Sequence, residues 1–207
     1  MNLLITAGPT REYIDPVRYI SNGSSGRMGY AVAAAAVEAG HAVTLLSGPV
    51  CAQPPEGVKL VPFVTVGDLQ AALDEHFHTC DLLVMAAAVG DFTVAGPRDR
   101  KISRKAGHIT LELTPTADLL GGLAGRKRPD QRIVAFAVED GPAQAAQAKA
   151  RAEMHAKGAD WVVVNPPAAM ESADSEACML GPEGPVLPWA RRDKTELARA
   201  ILAACLP

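Results

Sequence analysis

DLLVMAAAV, residues 81–89, carries no polar side chain after its first position. A strand with one wet face alternates apolar and polar residues. An unbroken apolar run instead belongs to a strand covered on both faces, as in the middle of a parallel sheet. Similar runs recur along the chain: NLLIT (2–6), HAVTLLS (41–47), RIVAFAV (132–138), DWVVV (160–164) and the shorter KLVPFV (59–64). Helical patterns separate them. Arg27–Ala39 is rich in alanine, Asp68–His78 has Asp68 as its expected N-cap, Ala143–Lys157 runs into Gly158 as an expected C-cap, and Lys194–Leu206 closes the chain.

Strand and helix in rotation predict an α/β fold: a doubly wound, Rossmann-like, mostly parallel sheet with right-handed crossovers. Two regions break the rhythm. Gly90–Arg104 is a Gly-, Pro-, Arg- and Lys-containing loop far longer than the usual few residues. Beyond Asn165, PP and ESADSE read as irregular surface chain, followed by a hairpin, CMLGPEGPVLPW, turning at Pro182–Gly184 as a small β-hairpin appendage. With no internal repeat or linker, residues 1–207 read as one domain.

Composition narrows the partners. Hydrophobic residues make up 48% of the 207, enough for a sizeable core, and 20 Lys+Arg against 23 Asp+Glu leave a formal charge of −3. That balance argues against nucleic acid, which needs a concentrated basic face. No apolar run approaches the roughly 20 residues of a membrane helix, and MNLLITAG lacks the basic leader of a signal peptide. Cys51, Cys80, Cys178 and Cys205 are scattered without a C-x-x-C pair, which fits a reduced, cytoplasmic chain. His76, His78 and Cys80 are spaced by two, poor spacing for sharing a helix face, and read as helix-end residues rather than zinc ligands.

ISNGSSGRMG, Ile20–Gly29, leads straight into the alanine-rich helix. The first amides of a helix lack intrahelical acceptors and stand at the positive end of its dipole, so such a turn suits an anion. Ser24 and Ser25 add hydroxyls, and Gly26 permits close backbone approach. The same residues would equally serve a tight turn that only packs helix against strand. A dinucleotide fingerprint places its glycines directly after the first strand and an acid at the end of the second. Here the glycines begin at Gly23, far beyond Ala7, and the second strand ends in Leu46-Ser47-Gly48-Pro49. A Walker A loop fails because no G-K-[ST] occurs.

PRDRKISRK, residues 97–105, brings Arg98, Arg100, Lys101, Arg104 and Lys105 into one loop beyond the end of a buried strand. In open α/β sheets ligands sit outside the carboxyl ends of the strands. A basic loop there can close over a polyphosphate and offset charge that develops during transfer. A merely solvated charged loop is the alternative.

ITAGPTREYIDPVRYISNGSSGRMG (5–29) resembles the opening signature of the phosphopantothenate–cysteine ligases. AAAVGDF with Lys101-Ile102, LELTPTADLL, AFAVED, KGADWVVVN and RDKTELARAIL resemble that family's later motifs in order, over nearly the whole chain. The resemblance implies a two-step reaction. The carboxylate of 4′-phosphopantothenate attacks the α-phosphate of a nucleoside triphosphate, CTP or ATP, releasing pyrophosphate. The amine of L-cysteine then displaces the nucleoside monophosphate. Mg²⁺ is implied as cofactor. A start at the ligase motif implies a stand-alone form without flavin.

By the same resemblance, Lys101 forms the acyl-nucleotide, while Asn22 and Arg18 serve its turnover. A salt bridge within its own loop remains the other reading of Arg18. Ser24, Ser25 and Gly26 would contact phosphates. Met85, Ala86, Ala87, Asp91, Thr116, Ala117, Asp118, Leu119, Phe136 and Lys157 match the nucleotide pocket; by pattern alone Phe136 suits the core equally well. Thr116-Ala117 departs from the family's asparagine-proline pair, and Glu153 stands where a lysine is expected, with Lys149 or Arg151 as compensating charges. The resemblance also implies a homodimer, part of Ile102–Leu113 pairing across the two-fold, with His108–Leu113 (HITLEL) alternating as an edge strand. A nicotinamide-dependent reductase lacks its ribose acid and Tyr-x-x-x-Lys pair here; a non-catalytic nucleotide binder would not need Asn22 and Lys101.

Overall fold

The computed structural model describes residues 1–170 and 172–206. In chain order the strands are β1 (Asn2–Ala7), β2 (Arg11–Tyr13), β3 (Tyr19–Ser21), β4 (Ala42–Ser47), β5 (Lys59–Pro62), β6 (Leu82–Met85), β7 (Phe92–Val94), β8 (Leu113–Pro115), β9 (Arg132–Val138), β10 (Trp161–Asn165), β11 (Asp174–Gly181) and β12 (Gly184–Asp193). The α-helices are α1 (Arg27–Glu38), α2 (Val66–His76), α3 (Leu119–Ala124), α4 (Ala143–Ala156) and α5 (Lys194–Cys205).

Eight strands form one sheet in the order β12-β11-β10-β9-β6-β1-β4-β5. From β5 to β10 every pairing is parallel, while β10–β11 and β11–β12 are antiparallel. The expected hairpin therefore extends the main sheet rather than standing apart from it. The chain passes from β1 through α1 to β4, then returns past β5 and α2 to β6 on the other side of β1. Strand order thus reverses between β1 and β6, which is where ligands bind in such sheets.

Alternate residues of each strand enter opposite cores. Leu4, Leu83, Ile133 and Val162 pack with Leu69 and Leu73 of α2, Leu123 of α3 and Met154 of α4. Leu3, Ile5, Leu82, Val84 and Val134 pack with Val32 and Ala36 of α1 and with Leu197 and Ile201 of α5. Both faces being covered is why the strands read as continuous apolar runs.

Several boundaries differ from expectation. β6 stops at Met85. Beyond it the run bends at Ala87, whose N–H donates to a side chain, Thr6 Oγ1 (3.0 Å). It regains a single parallel rung at Ala88, bridged to Pro9 with its N–H on Gly8 O (2.9 Å) and its carbonyl accepting from Thr10 N (3.2 Å). The N-cap of α2 is Thr65, not Asp68. Thr65 Oγ1 accepts from Asp68 N (3.1 Å) while Asp68 Oδ2 accepts from Thr65 N (2.9 Å), a reciprocal capping box. At the end of α4, Gly158 adopts φ +63°, as a helix stop requires. His108–Glu112 forms no strand; only Leu113 of HITLEL enters β8, which pairs with β7. Asp174–Glu176 of ESADSE begins β11, with Ser175 and Ala177 buried and Glu176 exposed; Glu171 lies outside the described residues. The β2–β3 hairpin, inserted between β1 and α1, is an element that strand periodicity did not reveal.

Candidate active site

A cleft of about 630 Å³ lies over the carboxyl ends of β6 and β9. Met85, Ala87, Ala88 and Val89 border it after β6, and Phe136 to Glu139 border it at the end of β9. Asp91 and Thr116 to Leu120 form one wall, Lys149 and Glu153 of α4 with its C-cap Lys157 the other, and Asn22 and Gly23 the rim. Asn22 therefore meets Met85, Ala87, Asp91, Thr116, Ala117, Asp118, Leu119, Phe136 and Lys157 around one space. A smaller pocket of about 90 Å³ adjoins it, bordered by Ser24, Gly26, Arg27, Ala86 and Lys194 and sharing Ala87 and Phe136 with the cleft. Phe136 is half-buried at the border of both.

Each of these groups is fastened by local bonds. Asn22 Nδ2 donates to Ala88 O (3.2 Å) and Val89 O (3.0 Å), tying the segment before α1 onto the bend after β6. Thr116 closes the wall: its N–H donates to Asp91 O (2.9 Å) and its hydroxyl to Gly90 O (2.7 Å). Asp118 caps α3 by accepting from Gly121 N (3.1 Å) and stands 3.8 Å from Lys157 Nζ. Lys149 Nζ donates to Glu139 Oε2 (2.9 Å); that carboxylate, as bond partner and as charge, holds the Lys149 ammonium above its ordinary pKa. Of the two candidate compensating charges, Lys149 borders the cleft, already paired with Glu139, and Arg151 does not. The lining carries Asp91, Asp118, Glu139 and Glu153 against Lys149 and Lys157, an acidic surplus that a polyphosphate meets only with cations brought from elsewhere.

At the start of α1, Gly26 occupies the N-cap position at φ +74° with no side-chain cap bond. The helix's first amides keep their capacity for an anion. Ser25 Oγ is committed to Met170 O (3.0 Å) and borders neither space, whereas Ser24 borders the smaller pocket. Lys194 is buried beside them with Nζ on Ala169 O (2.9 Å); burial, and then the Arg27 charge, lower its pKa.

Lys101 and Arg18 border neither the cleft nor its annex. Lys101 is exposed on a loop anchored to the turn between β2 and β3. Arg98 N–H donates to Ile14 O (2.9 Å), and Ile102 N–H to Asp15 Oδ2 (3.0 Å). Arg18 donates to Asp15 Oδ2 through Nε (3.0 Å) and Nη2, and Nη2 also reaches Ile102 O (2.9 Å). The salt-bridge reading of Arg18 is the arrangement present. Asp15 is 1% exposed, and Arg18 first, then Ile102 N–H, hold its carboxyl well below the usual range. Asp15 and Glu139 escaped the sequence reading; Asp15-Pro16 was the available turn signal, and Glu139 stands just past an apolar strand end. Among the described residues no three His, Cys, Asp or Glu side chains converge as a metal site, His76, His78 and Cys80 included.

A doubly wound sheet with a polar cleft next to the reversal of its strand order defines a Rossmann-like α/β protein with the place where such folds hold a ligand. Within that class, the chain belongs to the DNA/pantothenate metabolism flavoprotein C-terminal domain family, matched over residues 1–206. The coenzyme A biosynthesis bifunctional protein CoaBC of Bacillus subtilis (strain 168) is 42% identical over 165 residues, 79% of this chain and 40% of that protein. The crystal structure of the C-terminal domain of CoaBC superposes with TM-score 0.79 at 32% identity, covering 99% of this chain and 93% of that one. The Cab2 H337A mutant in complex with phosphopantothenate-cysteine shares the fold, with TM-score 0.81 at 20% identity, covering 99% and 86%. The chain spans about half or less of the length of the curated relatives it matches.

Proposed function

We propose that this chain is a single ligase domain of coenzyme A biosynthesis, joining 4′-phosphopantothenate to L-cysteine through an acyl-nucleotide. In the first step a carboxylate oxygen of 4′-phosphopantothenate attacks the α-phosphorus of the nucleoside triphosphate, and the bond to pyrophosphate breaks. In the second the amine of cysteine attacks the acyl carbon, loses a proton as the amide forms, and expels the nucleoside monophosphate. Neither step changes oxidation state, so no flavin is required. Family membership supports this reading, as does the binding of phosphopantothenate-cysteine named for the Cab2 structure. The carrying observation is that Asn22 and the nucleotide-motif residues border one cleft beside the switch point.

The residues divide the work. Phe136 and the alanine bend take the nucleoside, and the uncapped amides at Gly26 with Ser24 take phosphate. Asn22, whose amide is oriented by Ala88 and Val89, holds the acyl-nucleotide while cysteine attacks. Lys101 supplies positive charge where pyrophosphate departs, on a loop that closes toward the cleft. Asp91 and Glu153 would hold Mg²⁺ with water, since Asp118 and Glu139 already face lysines, and the ion would supply positive charge to offset that of the phosphates. CTP is the preferred nucleotide over ATP, the domain works as a homodimer, and the setting is the cytoplasm. Among the described residues no helix is long and apolar enough to cross a membrane.

Pyrophosphate release from 4′-phosphopantothenate with Mg²⁺ and CTP, then ATP, tests the reading. Release with CTP before any cysteine is added is the expected result, and Lys101→Gln cuts its rate by about 100-fold. Folded wild-type protein that releases none with either nucleotide overturns the assignment.

A further inference from the structure

The basic loop bears Lys101, proposed above for the first chemical step, yet Lys101 borders neither the cleft nor its annex; what holds the loop is the residue after it. Ile102 is gripped by both of its backbone groups. Its N–H donates to Asp15 Oδ2 at 3.0 Å and its carbonyl accepts from Arg18 Nη2 at 2.9 Å. Asp15 is itself held still from several directions, because Oδ1 accepts from Val17 N (2.9 Å) and Arg18 N (2.9 Å) while Oδ2 takes the Arg18 fork. Its side chain is fully buried, whereas that of Arg18 is 42% exposed. A buried carboxylate surrounded by donors is rigid, and a planar guanidinium spanning a carboxylate and a carbonyl fixes both in one plane.

We propose that Asp15 and Arg18 are a positioning pair for Lys101: gripping Ile102 on both sides, they set where the adjacent ammonium stands relative to the cleft. Neither needs to touch substrate. The pair belongs to the β2–β3 turn, and the same hairpin leads directly into Asn22, so one insertion carries the amide of the cleft rim and registers the lysine loop. The activity arm of the test rests on the ligase reading; the digestion arm does not.

The loop offers trypsin sites at Arg98, Arg100, Lys101, Arg104 and Lys105, so its opening can be timed directly. In Asp15→Asn and Arg18→Lys, cutting between residues 98 and 105 should quicken at least about tenfold while cutting after Lys59 keeps its wild-type rate, since proteolysis tracks the population of the locally open state. General destabilisation would quicken both, and unchanged loop cutting or equal acceleration at both places overturns the proposal. For activity, Asp15→Asn and Lys101→Gln should each slow pyrophosphate release by about 100-fold, the scale of a small misplacement of a catalytic group. The double variant should stay within about threefold of Lys101→Gln, because residues acting through one another are not additive; multiplied losses refute the pairing. Should Asp15→Asn fail to fold, Arg18→Lys, altered at the surface, carries both readings. If the wild type releases no pyrophosphate, the functional assignment falls and the digestion result alone decides this one.

Discussion

Replacing Gly29 by alanine should destabilise the protein even though alanine is the better helix former. Gly29 lies in the first turns of α1, where that helix crosses β1. A Cβ built there stands 2.6 Å from Ala7 Cβ, 2.8 Å from Thr6 O and 3.0 Å from Ala7 Cα. Two of those three obstacles are backbone of a strand hydrogen-bonded on both sides, to β4 and β6, so they cannot recede. Overpacking costs about 1–3 kcal/mol, and an unyielding backbone puts this site near the top of that range. The helix-propensity gain of Gly→Ala returns about 1 kcal/mol. The net loss is about 2 kcal/mol, which lowers Tm by about 4–8 °C in a domain of this size. Gly122 in α3 is the matched control: it is exposed, and a Cβ there meets nothing within 4 Å. The same substitution at Gly122 should raise Tm by about 1–4 °C, from a gain of about 0.5–1 kcal/mol. Paired calorimetric melts of the two variants decide the matter. A Gly29→Ala protein melting at or above wild type would show that α1 can slide on β1, and the account of how the helix start is set against the cleft would fail.

Three more outcomes can be measured. Asn22→Asp turns a carboxylate oxygen toward the carbonyls of Ala88 and Val89 in place of two donated bonds; acyl-nucleotide should accumulate in quenched reactions while the cysteine-linked product slows by about 100-fold, and product at the wild-type rate would count against the role of Asn22. The folded-state pKa of Asp15 lies below its ordinary 3.8, so its contribution to stability is complete above that value and declines as pH falls through and below it. The gap between the urea midpoints of wild type and Asp15→Asn should therefore hold steady above about pH 5 and narrow progressively as pH falls below about 4, and a gap that stays constant into acid refutes the linkage. Burial pushes the Cys80 thiol up to about 11 and the Cys205 thiol up to about 12, and raises Cys178 as well, while Cys51 is exposed. A thiol reagent should modify Cys51 first, with Cys80 and Cys178 reacting only on unfolding; fast modification of Cys80 in folded protein contradicts its burial.

The parallel sheet was legible because burial on both faces leaves a mark in composition: RIVAFAV occupies β9 from Arg132 to Val138 as expected. The same signal overreached at DLLVMAAAV. An alanine run is apolar whether it forms a ladder or a close-packed bend, and only the side-chain acceptor of Ala87, Thr6 Oγ1, marks where the ladder breaks before its single rung at Ala88. ESADSE hid a strand start because its buried Ser175 is polar, although the alternation Asp174, Ser175, Glu176, Ala177 has period two. Most of the cleft was readable through the family resemblance, motif by motif. What no local pattern contains is the pairing of Lys149 with Glu139 and of Lys157 with Asp118, since each joins α4 to a separate loop.

The β2–β3 hairpin explains the oddity that separated this chain from dinucleotide binders, its glycine turn standing far beyond the first strand. In a dinucleotide fold the strand runs directly into the phosphate turn, and charge is met there by backbone alone. Here the cleft has an acidic surplus, and a triphosphate cannot rest against Asp91, Asp118, Glu139 and Glu153 without outside cations. The inserted hairpin answers that need from both ends. Its turn, through Asp15 and Arg18, grips the basic loop at Ile102, and its exit places Asn22 on the rim against Ala88 and Val89. If the proposed ligase reaction holds, keeping the cationic group off the cleft has a chemical use. Positive charge built into the cleft would bind triphosphate and pyrophosphate strongly in every state, whereas charge on a loop registered at Ile102 adds to the site without being part of its floor.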